Sequence, residues 1–163
     1  MMKKTLIFAA AIILGAVAAC TGDDKKEDKP AAAAPAAAEA PPAVTPSPDG
    51  AMAYIISPKD GEKVKGDVTI KFGLKGMGVC PAGLYKENTG HHHLLVDMDK
   101  SELPAGIPIP TIEGKCLHYG GGQTEVTLKL APGEHTLQMV LGNYTHMLHA
   151  PPVISKKITI TVE

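Results

Sequence analysis

Seven histidines carry most of the chemical potential of this sequence: His91, His92, His93, His118, His135, His146 and His149. Neutral imidazole can ligate zinc or copper, accept a proton or brace a loop, so spacing must decide which use is open. The stretch TGHHHLLVDMD, residues 89–99, sets three of them in succession at the head of an apolar segment. In a strand, His91 and His93 share one face with Leu95 and Asp97, roughly 7 Å apart, while His92 shares the other with Leu94, Val96 and Met98. In HTLQMVLGN, His135 leads the face of Leu137, Met139 and Leu141, and His146 and His149 follow that strand in YTHMLH. Antiparallel pairing of the two segments brings His146 and His149 toward His91 and His93 and leaves His135 at the far end.

The expected metal ligands are therefore His91, His93, His118, His146 and His149, with His92, His135 and Met147 as additional candidates. The ion expected is copper or zinc. Met77 and Met147, in the same loops as the histidines, tilt the choice toward copper. Asp97, Glu125 or backbone carbonyls are candidates to hold the rings from behind. The competing reading makes the same rings a structural rim, hydrogen-bonded to one another and to Gln123 or Asn143, in a module that docks an envelope partner.

Other chemistry is sparse. Cys80 and Cys116 are expected to form a disulfide, worth about 4 kcal/mol on a chain-entropy model, which would also draw His118 toward the triplet; thiolate ligation of the metal is the alternative. There is no HExxH, no nucleophile elbow and no CxxC, and Gly120-Gly121-Gly122 precedes a strand rather than the helix that a phosphate cradle needs. No catalytic residue is expected. His91-x-His93 is similar to the pairing in copper-zinc superoxide dismutase-like sandwiches, but the other motifs of that family are missing.

The elements that must position these residues are strands. Val68–Leu74, Val126–Leu130 and Ile158–Val162 alternate apolar and polar residues, the mark of half-buried antiparallel strands. Tyr54-Ile55-Ile56-Ser57, broken by Pro58, adds a short one, and the two histidine segments complete the set. Residues 78–90 and 99–122, rich in Gly and Pro, are expected to be loops. No helical period with caps is found. The fold class expected is all-β, an immunoglobulin-like antiparallel β-sandwich, with a small β-barrel as the alternative. The core must be aliphatic, because the folded part has no Trp and Phe72 as its single Phe.

Residues 1–19, MMKKTLIFAAAIILGAVAA, have the basic head and apolar run of a signal peptide. Val17-Ala18-Ala19-Cys20 resembles the bacterial lipobox, so Cys20 is expected to carry lipid and anchor the chain to a membrane. Thr21 after it favours the outer of two membranes, facing the periplasm. Residues 20–50, charged and then nearly all Ala and Pro, read as a disordered tether that could reach on the order of 90 Å. A single domain, 51–163, remains. Its host chain has 16 lysines, no arginine and 17 acidic residues, and losing Lys3 and Lys4 with the leader leaves a net charge of about −3. That balance argues against a nucleic-acid partner.

The ordered motifs FGLKGMGV-PAG, GHHHLLVD, H-GGGQTE, PGEHTLQMVLG, H--H-PPV and S-KITITV together resemble the bacterial exported domain of unknown function 4399, across nearly all of residues 65–163. The resemblance implies that the triplet, His118, His135, His146 and His149 are the family's histidines. Cys80 and Cys116 look like a local addition. No activity comes with the resemblance.

Overall fold

A computed structural model describes residues 42–163; the expected leader, the expected lipidation site at Cys20 and most of the expected tether lie outside the described residues. Nine strands follow one another: β1 (Met52–Ser57), β2 (Lys63–Val64), β3 (Val68–Lys75), β4 (Gly78–Val79), β5 (Thr89–Val96), β6 (Cys116–Tyr119), β7 (Glu125–Leu128), β8 (Gly133–Gly142) and β9 (Ile158–Val162). One sheet has the order β1-β3-β7; the other runs β2-β9-β8-β5-β4, with β6 also paired to β5. The two sheets remain separate, so the domain is an immunoglobulin-like β-sandwich and not a barrel. All pairings are antiparallel except the short β2–β9 and β4–β5 contacts.

Alternation explains the inner core. Val68, Ile70 and Phe72 of β3 turn inward while Thr69 and Lys71 face out. They meet Leu94, Leu137, Met139 and Ile160 of the larger sheet. That larger sheet, however, is covered on its second face as well. Leu95, Val140 and Cys116 point away from the inner core and are buried under Met98, Leu103 and Ile109 of the long loop after β5. The burial of β5 is therefore nearly continuous, unlike the half-buried β3.

The reversal of Met98 has a local cause. Asp97 adopts a left-handed backbone, φ +50°. Its side chain accepts from the Thr136 amide at 2.8 Å and contacts His135 Nδ1 at 2.7 Å. This clasp ends β5, and an Asp99–Glu102 capping box then closes a single 3-10 turn, Lys100–Glu102.

Two expectations are corrected. The segment 99–122 is not all loop: β6 pairs along β5, with His93 opposite His118 and Leu95 opposite Cys116. Its four residues were too short to reveal a period. The disulfide expected between Cys80 and Cys116 is absent, and both cysteines are free. The Cys80 amide bonds Gly90 O, whereas Cys116 lies opposite Leu95. Five residues of strand separate those positions, roughly 17 Å, and a disulfide spans at most about 7 Å between Cα atoms.

Residues 42–50, assigned by composition to the tether, lie against the domain. Pro46 bridges Ala150, the Ser47 amide donates to Ala150 O at 3.1 Å, and the Ala150 amide donates to Thr45 O at 3.1 Å.

Candidate metal centre

His91 and His93 sit on the outer face of β5, directed away from the inner core, because residues two apart on a strand share a face. Pairing with β6 sets His118 directly opposite His93. Strand addition brings His118 there, with no help from a disulfide. The turn after β8 supplies His146. Nε2 of His91 and Nε2 of His93 are 3.1 Å apart, and Nε2 of His118 and Nε2 of His146 are 3.2 Å apart. Ring nitrogens of His91, His93 and His118 all lie within 4.8 Å of one another. The His146 ring lies 4.8 Å, centroid to centroid, from both His91 and His118. Three imidazoles thus crowd one point, and His146 stands at its edge, 6.1 Å from His93 between centroids.

Glycines make the room. Gly142 stands opposite His91 on β8, and a methyl group there would lie 2.9 Å from His93 Nε2 and 3.3 Å from Ile109 Cδ1. At Gly120 a methyl group would lie 2.4 Å from His118 Cε1. Side chains at either position would displace a ring of the cluster.

His146 is held at φ +67°, a left-handed conformation that costs a non-glycine residue about 1–2 kcal/mol. Asn143 sustains it. Its Oδ1 accepts from the amides of Thr145 and Met147, each at 2.9 Å, and the His146 amide donates to Asn143 O at 2.9 Å. The Ile109 amide donates to His146 O at 2.8 Å, tying this turn to the covering loop. Strain sustained by several hydrogen bonds is the pattern of a functional turn.

The environment keeps His91, His93 and His118 neutral. His91 and His93 are fully buried. Burial first, and then the neighbouring imidazoles, push His91 down to about 4 and His93 to about 2 from an ordinary 6.5. Burial and His146 lower His118 as well. At neutral pH each of these three rings keeps one nitrogen lone pair free of a proton. A facing Nε2 pair can share only one proton, and Nδ1 of both His91 and His93 has no partner among the described residues. Each such orphan costs about 1–3 kcal/mol. Among the described residues nothing backs either Nδ1, so packing and the shared Nε2 proton fix the orientation of the two rings.

The other candidates lie elsewhere. His92 faces the inner core against Phe72, at 5.2 Å between centroids, and burial lowers it to about 4. His149 bonds Thr45 Oγ1 through Nδ1 at 2.8 Å, and its Nε2 lies on the Gly90 side of β5, the face of His92. His135 is at the far end of β8, between Asp97 and Ala131 O. Asp97 therefore braces His135 and not the cluster. Glu125 is exposed on the other sheet, and Gln123 accepts from the Gly121 amide instead of a ring. Met77 packs against the inner core, and Met147 is half-buried in the His146 turn. Cys116 is buried under the covering loop with its thiol pushed up to about 11 by burial, which makes it a poor thiolate source. Reading the sequence missed Gly142 and Gly120; the available signal was a glycine beside a histidine or inside a strand, where close approach of another group is the usual reason.

Residues 70–163 match the family described as Domain of unknown function (DUF4399). The chain belongs to that family. No curated protein matches this DUF4399 chain. Among solved structures it is similar to the endo-β-1,4-mannanase from Thermotoga petrophila, at 17% identity and a TM-score of 0.41 over 69% of this chain. It spans only 20% of that enzyme. It is also similar to the fibronectin(III)-like modules of CbhA from Clostridium thermocellum, at 12% identity and a TM-score of 0.35, over 68% of this chain and 93% of the module.

Proposed function

We propose that this DUF4399 protein is an envelope lipoprotein, anchored through Cys20, whose sandwich binds a transition metal ion, copper or zinc, through His91, His93, His118 and His146. One observation carries the reading: four imidazoles converge with two Nε2–Nε2 separations of 3.1 and 3.2 Å. The edge of a tetrahedron of nitrogens around zinc, at bonds of ~2.0–2.1 Å, is about 3.3 Å. The two pairs already sit near that edge, and closure of the His118–His146 pair onto the first pair would complete the shell.

Four protein ligands leave no open position for a substrate, so holding or delivering the ion fits better than catalysis. An all-nitrogen donor set suits Zn(II) or Cu(II). The thioether argument for copper now rests on Met147 alone, since Met77 packs against the inner core. A purely structural rim is the weaker account, because a facing Nε2 pair can share only one proton, and two such pairs directed at one another are what an ion would bridge.

The test is calorimetric and thermal titration of the mature chain, made soluble by Cys20→Ser, with zinc and copper, beside a His91→Ala/His93→Ala variant. Stoichiometric binding with a raised Tm, lost in the variant, is the expected result. Absence of binding in a folded wild-type chain would overturn the proposal.

A further inference from the structure

The base of the tether is built into the support of the fourth histidine. Residues 43–47 run along residues 143–151, the loop that carries His146. Asn143, whose Oδ1 organises the His146 turn, also reaches outward: its Nδ2 donates to Ala43 O at 2.8 Å. Thr45 and His149 join through Oγ1 and Nδ1 at 2.8 Å, both side chains buried. Ser47 adds its amide bond to Ala150 O, and its hydroxyl donates to Pro151 O at 2.7 Å. His149 is one helical-turn length of chain beyond His146 and ligates nothing in the cluster. Its Nδ1 is committed to the strap, and its Nε2, buried without a partner, fills the space over Gly90 at the head of β5.

We propose that residues 43–47 are a strap that positions the His146 loop through Thr45–His149 and Ala43–Asn143, so that metal occupancy and strap docking stabilise one another. Thr45 and His149 are then positioning residues. This rests on the metal-site reading above. Coupling is reciprocal: an ion that fixes His146 fixes the loop on which the strap lies, and a docked strap preorganises the fourth ligand. The state of the metal site thereby reaches the point at which the tether joins the domain.

The experiment uses the mature Cys20→Ser chain and zinc as probe. Thr45→Val keeps the shape and removes the hydroxyl; Thr45→Ser restores it. Expected are a zinc affinity weakened by about fivefold or more in Thr45→Val, recovery in Thr45→Ser, and zinc-dependent slowing of hydrogen exchange at the Ser47 and Ala150 amides in the wild type. Wild-type zinc affinity in Thr45→Val, or exchange at those amides that ignores zinc, would overturn the coupling and leave the metal site standing. A wild-type chain that binds no zinc or copper would instead overturn the site itself, and the coupling with it. Loss of affinity in both Thr45 variants alike would also overturn the assignment, since it would trace to packing and not to the hydroxyl.

Discussion

Gly142→Ala is the most exacting probe of how the cluster is held. The backbone of β8 accepts alanine there, so the effect must come from the added methyl group. That group would stand 2.9 Å from His93 Nε2, 3.2 Å from His93 Cδ2 and 3.3 Å from Ile109 Cδ1. Ordinary contact is about 3.5 Å, so the ring must yield by about half an ångström. His93 is fully buried and opposed by the other imidazoles, which leaves it no easy rotamer. Metal sites tolerate ligand errors of about 0.2 Å. Affinity should therefore fall by about 10–100-fold, the scale seen when ligand support is damaged. The overpacking should cost about 1–3 kcal/mol of stability. Zinc affinity by chelator competition and metal-free Tm would be measured side by side. Gly73→Ala is the control, because its methyl group would meet the Tyr54 ring, remote from the cluster; it should lower Tm and leave affinity unchanged. A Gly142→Ala protein that binds zinc as wild type does would refute the geometry of the site.

The metal-free protein should show a stability maximum near neutral pH. On the acid side, His91 and His92 titrate near 4 and His93 near 2 when folded, against 6.5 when unfolded, so the unfolded chain binds more protons between pH 6.5 and 4. Stability is complete above 6.5 and falls as pH drops through that window, by up to about 1.4 kcal/mol per pH unit for each imidazole. His135 has the opposite sign: burial would lower it, but Asp97 and the Ala131 carbonyl outweigh burial and raise it. Its contribution is present below 6.5 and is lost as pH rises through the folded value. His135→Ala should flatten the alkaline side of a Tm–pH profile only; a flat acid side in the wild type would contradict the burial argument. Thiol labelling of the Cys20→Ser chain should modify Cys80 in the native protein and Cys116 only after unfolding. A chain with no titratable thiols in denaturant would overturn the assignment of free cysteines.

The strands with one wet face were legible because alternation records the sheet: Val68, Ile70 and Phe72 inward, Thr69 and Lys71 outward. The shared face of His91 and His93 was legible for the same reason, as was the antiparallel partnership of β5 and β8. The second layer was not. Leu103 and Ile109 cover the outer face from a loop whose composition carries no period, so the burial of β5 on both sides had no signal in the sequence. β6 was hidden because Cys116–Tyr119 is too short for a pattern, and an imagined disulfide explained the approach of His118 that pairing with His93 produces. His149 was grouped with His146 by nearness in sequence. The left-handed residue at His146 and the bond to Thr45 send the two rings to different faces, and neither can be read from composition.

The central claim concerns which atoms meet the ion. X-ray absorption of the zinc-loaded Cys20→Ser chain reads this directly. The account predicts a shell of nitrogen scatterers at ~2.0–2.1 Å with the outer-shell signature of several imidazoles and no sulfur. Sulfur at ~2.3 Å, or a shell of oxygens without imidazole scattering, would contradict it.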